Sequence, residues 1–154
     1  ATRGCACGVW PGGLAASHGE GCSTMTPRTV RADATAKVGR MRVALQFYEA
    51  AEMVRELADN AEDVTNAYVT LCVHAGIAAA DVRCAAALGE YARGESHIEA
   101  IGLLSAVDKA AAKHLDALLK LKTVAGYGTT TISADRVRRA TRAMEFLVES
   151  ARGV

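Results

Sequence analysis

Between Asn60 and His97 apolar and very small residues run almost without interruption, and the polar positions inside the run fall on a line. Asn66, Thr70, His74 and Asp81 are spaced by four, four and seven, so they share one face of a helix, with Ile77 and Cys84 between and beyond them. Most of the remaining circumference is apolar or tiny, which predicts a central helix enclosed by others. Asn60 can cap it, and Glu62 and Asp63 fall in the first turn, where carboxylates complement the helix dipole. No proline interrupts the run, and Gly76, Gly89 and Gly94 are far apart. The helix is therefore expected to last until Gly94 breaks the chain, roughly thirty residues or about 45 Å.

The flanking patterns are helical too. From Lys37 to Ala58, Met41, Ala44, Phe47, Ala51, Val54 and Leu57 recur at threes and fours, with Arg42, Glu49, Glu52, Arg55 and Glu56 mostly elsewhere on the wheel. Asp59 and Asn60 make a short joint, so this helix and the central one are predicted to be antiparallel neighbours. Ser96 and Glu99 form an S-x-x-E capping box that opens a third helix, whose inner side reads Ile101, Leu104, Val107, Ala111, Leu115, Leu118 and Leu119. It is expected to bend or split between Ser105 and Asp108 and to fade at Gly126-Tyr127-Gly128. Ser133, with Asp135 behind it, is the predicted cap of the last helix, which turns Val137, Ala140, Met144, Leu147, Val148 and Ala151 inward. The fold class that follows is all-α, an antiparallel up-down bundle of four to five helices.

Residues 1–36 do not fit that scheme. They are rich in Gly, Ser and Thr, hold both prolines and show neither period, so they are predicted to be a disordered or loosely ordered tail before a helical domain at 37–154. Pro11 and a glycine pair break the most apolar piece, which excludes a convincing signal peptide. The chain begins on Ala1 with Met25 and Met41 further in, which fits an origin of part of the tail in a fusion or an overlong reading frame. Cys5, Cys7, His18 and Cys22 have zinc-ligand chemistry but not a common finger spacing, so no metal is expected there.

Composition narrows the rest. Aromatics are only 5% against an apolar fraction of 51%, so alanine, leucine and valine must build the core, as suits closely packed helices. A net charge of +1 argues against a general nucleic-acid binder, though a local basic patch remains open. Asp81, Arg83 and His74 interrupt the longest apolar run, so no membrane span and a soluble chain are expected. The five cysteines are odd in number and irregular in spacing, which fits a reducing, cytoplasmic location rather than a disulfide framework.

Candidate chemistry concentrates on the polar stripe. His74 and Asp81 are two turns apart, about 10 Å, too far for a direct dyad. A buried Asp81 needs a partner from a neighbouring helix. Such a satisfied polar core, or a dimer seam, is the expected role, and the stripe is also the first choice for a cleft. Three residues separate Arg93 from His97 at a helix junction, and the two read as surface and bundle-end residues. Gly12-Gly13 lacks the Lys of a phosphate-binding loop. Arg138, Arg139 and Arg142 alternate with Glu145 and Glu149, as on a solvated helix face. Tyr127 reads as a ring packed at a helix end.

The order of landmarks resembles a family. Asn66-Ala67-Tyr68 opens the long helix, HAGIAAAD from His74 to Asp81 forms its centre, Ser96-His97 starts the next, and L-x-x-L-L-K-L-K-x-x-A-G-Y runs from Leu115 to Tyr127. An Ile132-Ser133 pair and an A-x-x-F-L-V stretch from Ala143 close the series. From about Met41 to Arg152 this is similar to the HEPN superfamily (higher eukaryotes and prokaryotes nucleotide-binding), especially its small bacterial stand-alone members. The resemblance implies a homodimer, nucleotide or RNA as ligand, and a nucleotidyltransferase or antitoxin as partner protein. The family's ribonucleases carry an R-x(4–6)-H motif at a dimer groove. Aligning Tyr127 with the tyrosine after that motif puts Lys120 at the arginine and Ala125 at the histidine, and Gly126 where some members have aspartate. Lysine lacks the planar fork, and alanine cannot transfer a proton. The implied function is a non-catalytic binding or regulatory protein with no cofactor and no metal. Its rivals are a divergent ribonuclease and a plain structural dimer. The candidate ligand or dimer-cleft residues are Asn66, His74, Asp81, His97, Lys120, Lys122 and Tyr127.

Overall fold

The alanine-rich run becomes the axis of an all-α bundle. The computed structural model describes residues 28–93 and 96–154, and among them the elements are β1 (Thr29–Arg31), α1 (Ala34–Leu57), a 3-10 turn (Ala61–Val64), α2 (Thr65–Leu88), β2 (Glu90–Ala92), α3 (His97–Val107), α4 (Lys109–Tyr127) and α5 (Ala134–Arg152). Helix α2 packs against α1, α4 and α5, with α3 lying across α4 and α2. Its inner residues include Val69, Cys72, Val73, Ala75, Ala79 and Val82. Small side chains let the neighbours come close. At Gly76 an added Cβ would collide with Leu118 Cδ1 of α4 and lie 3.2 Å from Leu147 Cδ1 of α5, so a side chain there would force those leucines to shift.

Both ends of α2 differ from the expectation. Asn60 does cap, but it caps the 3-10 turn, accepting from the Glu62 amide at 3.1 Å, and the α-helix begins only at Thr65. The helix also stops short of Gly94. Gly89 adopts φ 69 and its amide returns to Ala85 O at 3.0 Å, a left-handed stop that glycine takes without steric cost. Residues Glu90–Ala92 then pair antiparallel with β1 in the register Thr29↔Ala92, Val30↔Tyr91 and Arg31↔Glu90. The pair is extended by Ala32 N to Gly89 O at 2.8 Å and Arg93 N to Arg28 O at 2.7 Å.

That ribbon corrects the boundary of the expected tail. Residues 1–27, including the Cys5, Cys7, His18 and Cys22 set, lie outside the described residues. Residues 28–36 are built into the bundle: Thr29 Oγ1 donates to Glu90 at 2.7 Å, and Asp33 caps α1 by accepting from the Ala36 amide at 2.7 Å. A three-residue strand is too short to show a period of two.

Other joints follow the reading more closely. The third helix splits at Asp108, whose Oδ1 accepts from the Ala110 and Ala111 amides at 2.9 and 3.0 Å and so starts α4. Arg83 of α2 donates to Asp108 Oδ2 at 3.1 Å and ties the joint to the axis. Ser96 caps α3 through the Glu99 amide at 3.3 Å. Ser133 opens α5 without a side-chain cap, contrary to expectation. In α1 the buried pair is Ala44 and Ala51, while Leu57 at the helix end is 81% exposed. The expectation that no run is long and apolar enough for a membrane span is also corrected. Ala61–Leu88 meets that test by length and composition, and most of it is buried inside the bundle as a core helix would be.

Candidate functional site

Asp81 stands in the C-terminal half of α2 and is only 8% exposed. A carboxylate so buried needs a cation, and α1 supplies Arg40, which forms an ion pair with Asp81 Oδ2. Arg40 sits in the same inward series as Ala44, Phe47 and Ala51, spaced by four, three and four, which is why its partly buried guanidinium reaches α2. Its carbon lies 5.8 Å from the centre of the Tyr91 ring on β2, so the ribbon shields the pair. Burial pushes the Asp81 carboxyl up to about 6, against the opposing pull of Arg40.

Beside this pair lies a cavity of about 50 Å³, lined among others by Asp81 and Cys84 of α2, Ser96 and His97 at the start of α3, and Leu119 and Lys122 of α4. Three of the sequence candidates, Asp81, His97 and Lys122, therefore meet at one place. His74, on the same helix as Asp81, does not line the cavity and is exposed; burial, then the Lys122 charge, lowers its pKa. His74 stacks on Phe47 at 5.1 Å between ring centres.

The chemistry available here is limited by size and protonation. A space of this volume accommodates a few waters, whereas sites for drug-sized ligands measure about 300–1,000 Å³. Burial, then the Asp81 charge, pushes the Cys84 thiol up to about 12, so it is a thiol and not a nucleophilic thiolate. Among the described residues no three His, Cys, Asp or Glu side chains converge as a metal site.

The remaining candidates are separated from the cavity. Asn66 brackets the α4–α5 loop, donating to Thr130 O at 3.1 Å and accepting from the Ile132 amide at 3.0 Å, so it is a structural clamp. Tyr127 is 84% exposed at the end of α4, not packed as the sequence suggested. Lys120 is exposed and paired with Asp116 at 2.6 Å. Ala125 is 6% exposed and faces the core.

Lys120 belongs to a second feature that the sequence did not disclose. A trough of about 420 Å³ between α4 and α5 is lined by Asp116, Lys120, Arg136 and Arg139 together with Leu121 and Val124. Asp135 holds Arg139 at 2.9 Å and Arg138 at 3.5 Å, as a solvated face would. Arg136 joins no ion pair among the described residues. Sequence reasoning grouped Arg138 and Arg139 with Arg142 along one helix, whereas the trough needs Arg136 and a lysine from the neighbouring helix. Comparison with known proteins finds no matching family model and no matching curated relative.

Proposed function

We propose that this chain is a non-catalytic helical binding protein of HEPN type, a regulatory subunit that holds a phosphate-bearing ligand, RNA or nucleotide, in the α4–α5 trough. In this reading it works in the cytoplasm as a homodimer, beside a nucleotidyltransferase or an antitoxin as its partner protein. The observation that carries the non-catalytic part is the environment of Ala125. At the position where the resembling ribonucleases keep their histidine, this chain has a core methyl group. No proton donor or acceptor can act from there. Lys120, at the arginine position, is surface-exposed and already engaged by Asp116.

Support for the binding part comes from the trough. Lys120, Arg136 and Arg139 approach it from two helices, Lys120 paired with Asp116, Arg139 with Asp135 and Arg136 with neither, and its volume suits a nucleotide better than the Asp81 cavity does. The catalytic rival, a divergent ribonuclease, would have to work through Arg93, His97, Lys120 or His74; the space beside His97 is too small for a base, and Lys120 is engaged by Asp116.

Two measurements test the proposal. The protein is incubated with single-stranded and structured RNA in EDTA, next to a His97→Ala, Lys120→Ala double variant. Equal, background-level fragments are expected, and cleavage seen only with the unmodified protein overturns the non-catalytic reading. Fluorescence anisotropy with labelled RNA should show binding that weakens as salt rises, and a smaller salt slope in Lys120→Ala and Arg136→Ala, by about 1 per lost phosphate contact. Absence of binding at low salt removes RNA as the ligand.

A further inference from the structure

Helix α1 packs on α2 and α5 through one side, and its other side is unlike a solvated helix face. Val38 and Met53 are 56% and 55% exposed, Met41 and Leu45 are half-buried, and Arg42, Gln46 and Glu49 project between them. A shallow trough of about 420 Å³ runs along Val38, Met41, Arg42, Leu45, Gln46 and Glu49. Arg42 and Glu49 join none of the ion pairs among the described residues.

The order of these residues has a two-fold symmetry. About the midpoint between Leu45 and Gln46, Val38 is as far to one side as Met53 is to the other, and Arg42 mirrors Glu49. A two-fold axis perpendicular to the helix, passing between Leu45 and Gln46, reverses it against its own copy and lays Val38 on Met53 and Arg42 on Glu49, each contact made twice. A parallel alignment sets Arg42 on Arg42 and Glu49 on Glu49, which repel. We infer that α1 is a self-recognition surface, pairing antiparallel with α1 of a second copy through two Arg42–Glu49 ion pairs flanked by Val38–Met53 contacts.

Size sets the strength. A helix of 24 residues is about 36 Å long, and with a width of roughly 10–12 Å it covers ~400 Å² per copy. That is about half the ~800 Å² per partner of a standard stable interface. The dimer therefore belongs to the weak, transient class. This surface is distinct from the groove that the HEPN resemblance implies, since Lys120 and Ala125 lie on α4. The inference therefore goes beyond the dimer of the proposed function, and it stands on the α1 pattern alone.

The test is a charge exchange followed by sedimentation of the full chain over a range of concentrations. The unmodified protein should associate reversibly in the micromolar range. Arg42→Glu and Glu49→Arg, each alone, place like charges together twice and should raise the dissociation constant at least about tenfold. Both sites are exposed, so their thermal midpoints should match the unmodified protein. The double variant Arg42→Glu, Glu49→Arg rebuilds both ion pairs with the signs exchanged and should restore association. A chain that stays monomeric at all concentrations overturns the inference. So does a dimer indifferent to both single changes, or a double variant no better than the singles. RNA binding in the α4–α5 trough is read separately, so loss of one result leaves the other standing.

Discussion

Replacing Asp81 by Asn should change how stability depends on pH, and the sign distinguishes two forces at one carboxyl. The Arg40 ion pair favours the charged form, while burial disfavours it. If burial dominates, the folded state holds its proton up to about 6, against an ordinary value of 3.8. Between those values the folded chain binds more protons than the unfolded one, so stability falls as pH rises. The contribution is complete below the unfolded value and is lost as pH passes through the folded value. About two pH units at 1.36 kcal/mol each give a contribution of about 3 kcal/mol.

Asn imitates the protonated acid and does not titrate. The difference in unfolding free energy between the unmodified chain and Asp81→Asn should therefore shift against the unmodified chain by up to about 3 kcal/mol from pH 4 to pH 8. Urea denaturation across that range measures it. The other groups around the site, His97 on α3, Lys122 on α4, Cys84 on α2 and Tyr91 on β2, are present in both proteins and cancel in the difference. A difference constant within about 0.5 kcal/mol, or one that shifts in favour of the unmodified chain at high pH, would refute the dominance of burial. In the second case the ion pair with Arg40 governs the site.

Three further outcomes are expected. Gly76→Val pushes a branched side chain into Leu118 and Leu147 and should cost about 1–3 kcal/mol in thermal or urea unfolding despite the gain in helix propensity. Combined with Leu118→Ala it should cost less than the sum of the two, and strict additivity would mean the helices do not meet there. Asn66→Ala removes both clamps on the α4–α5 loop and leaves the Ile132 amide without its acceptor, for about 1–3 kcal/mol; a loss below 0.5, by about that margin, would show the loop is held otherwise. Asp108→Ala removes the cap of α4 and the Arg83 ion pair together, and circular dichroism should show lower helicity with about 1–2 kcal/mol lost.

Long-range helical patterning was legible because it repeats. The inward series of α5, the split at Asp108 and the Ser96 cap each rest on several residues or on a specific side-chain chemistry, and each is found in the structure. The ribbon of Thr29–Arg31 and Glu90–Ala92 was not legible. Three residues cannot display alternation, and the two strands are about sixty positions apart, so neither predicts the other. The end of α2 was readable in principle. Gly89 is one of three glycines in the run, and the structure distinguishes them by role: Gly76 yields space to Leu118, while Gly89 turns the chain. Composition alone gives both the same letter.

The site shows the same limit in side chains. Asp81 announced its need for a partner, because an acid in an apolar helix centre cannot stay uncompensated, but it did not say which cation answers. Arg40 carried a signal of its own, an arginine in step with Ala44, Phe47 and Ala51. Two anomalies of opposite charge on adjacent antiparallel helices are each other's explanation, and the ion pair between them is made in one rotation of α1 about its axis. That rotation has a consequence on the far side. With Arg40, Ala44 and Ala51 turned toward α2, the helical repeat turns Val38, Arg42, Glu49 and Met53 outward, the face proposed to meet a second copy. The buried pair and the exposed stripe are thus two sides of one constraint. Arg40→Leu with Asp81→Leu, which replaces the pair by apolar packing, can keep the fold while freeing the rotation of α1. Self-association should then weaken although no residue of the outer face has changed. If association is unaltered, the orientation of α1 is set by the Ala44 and Ala51 packing alone, and the ion pair is only a core contact.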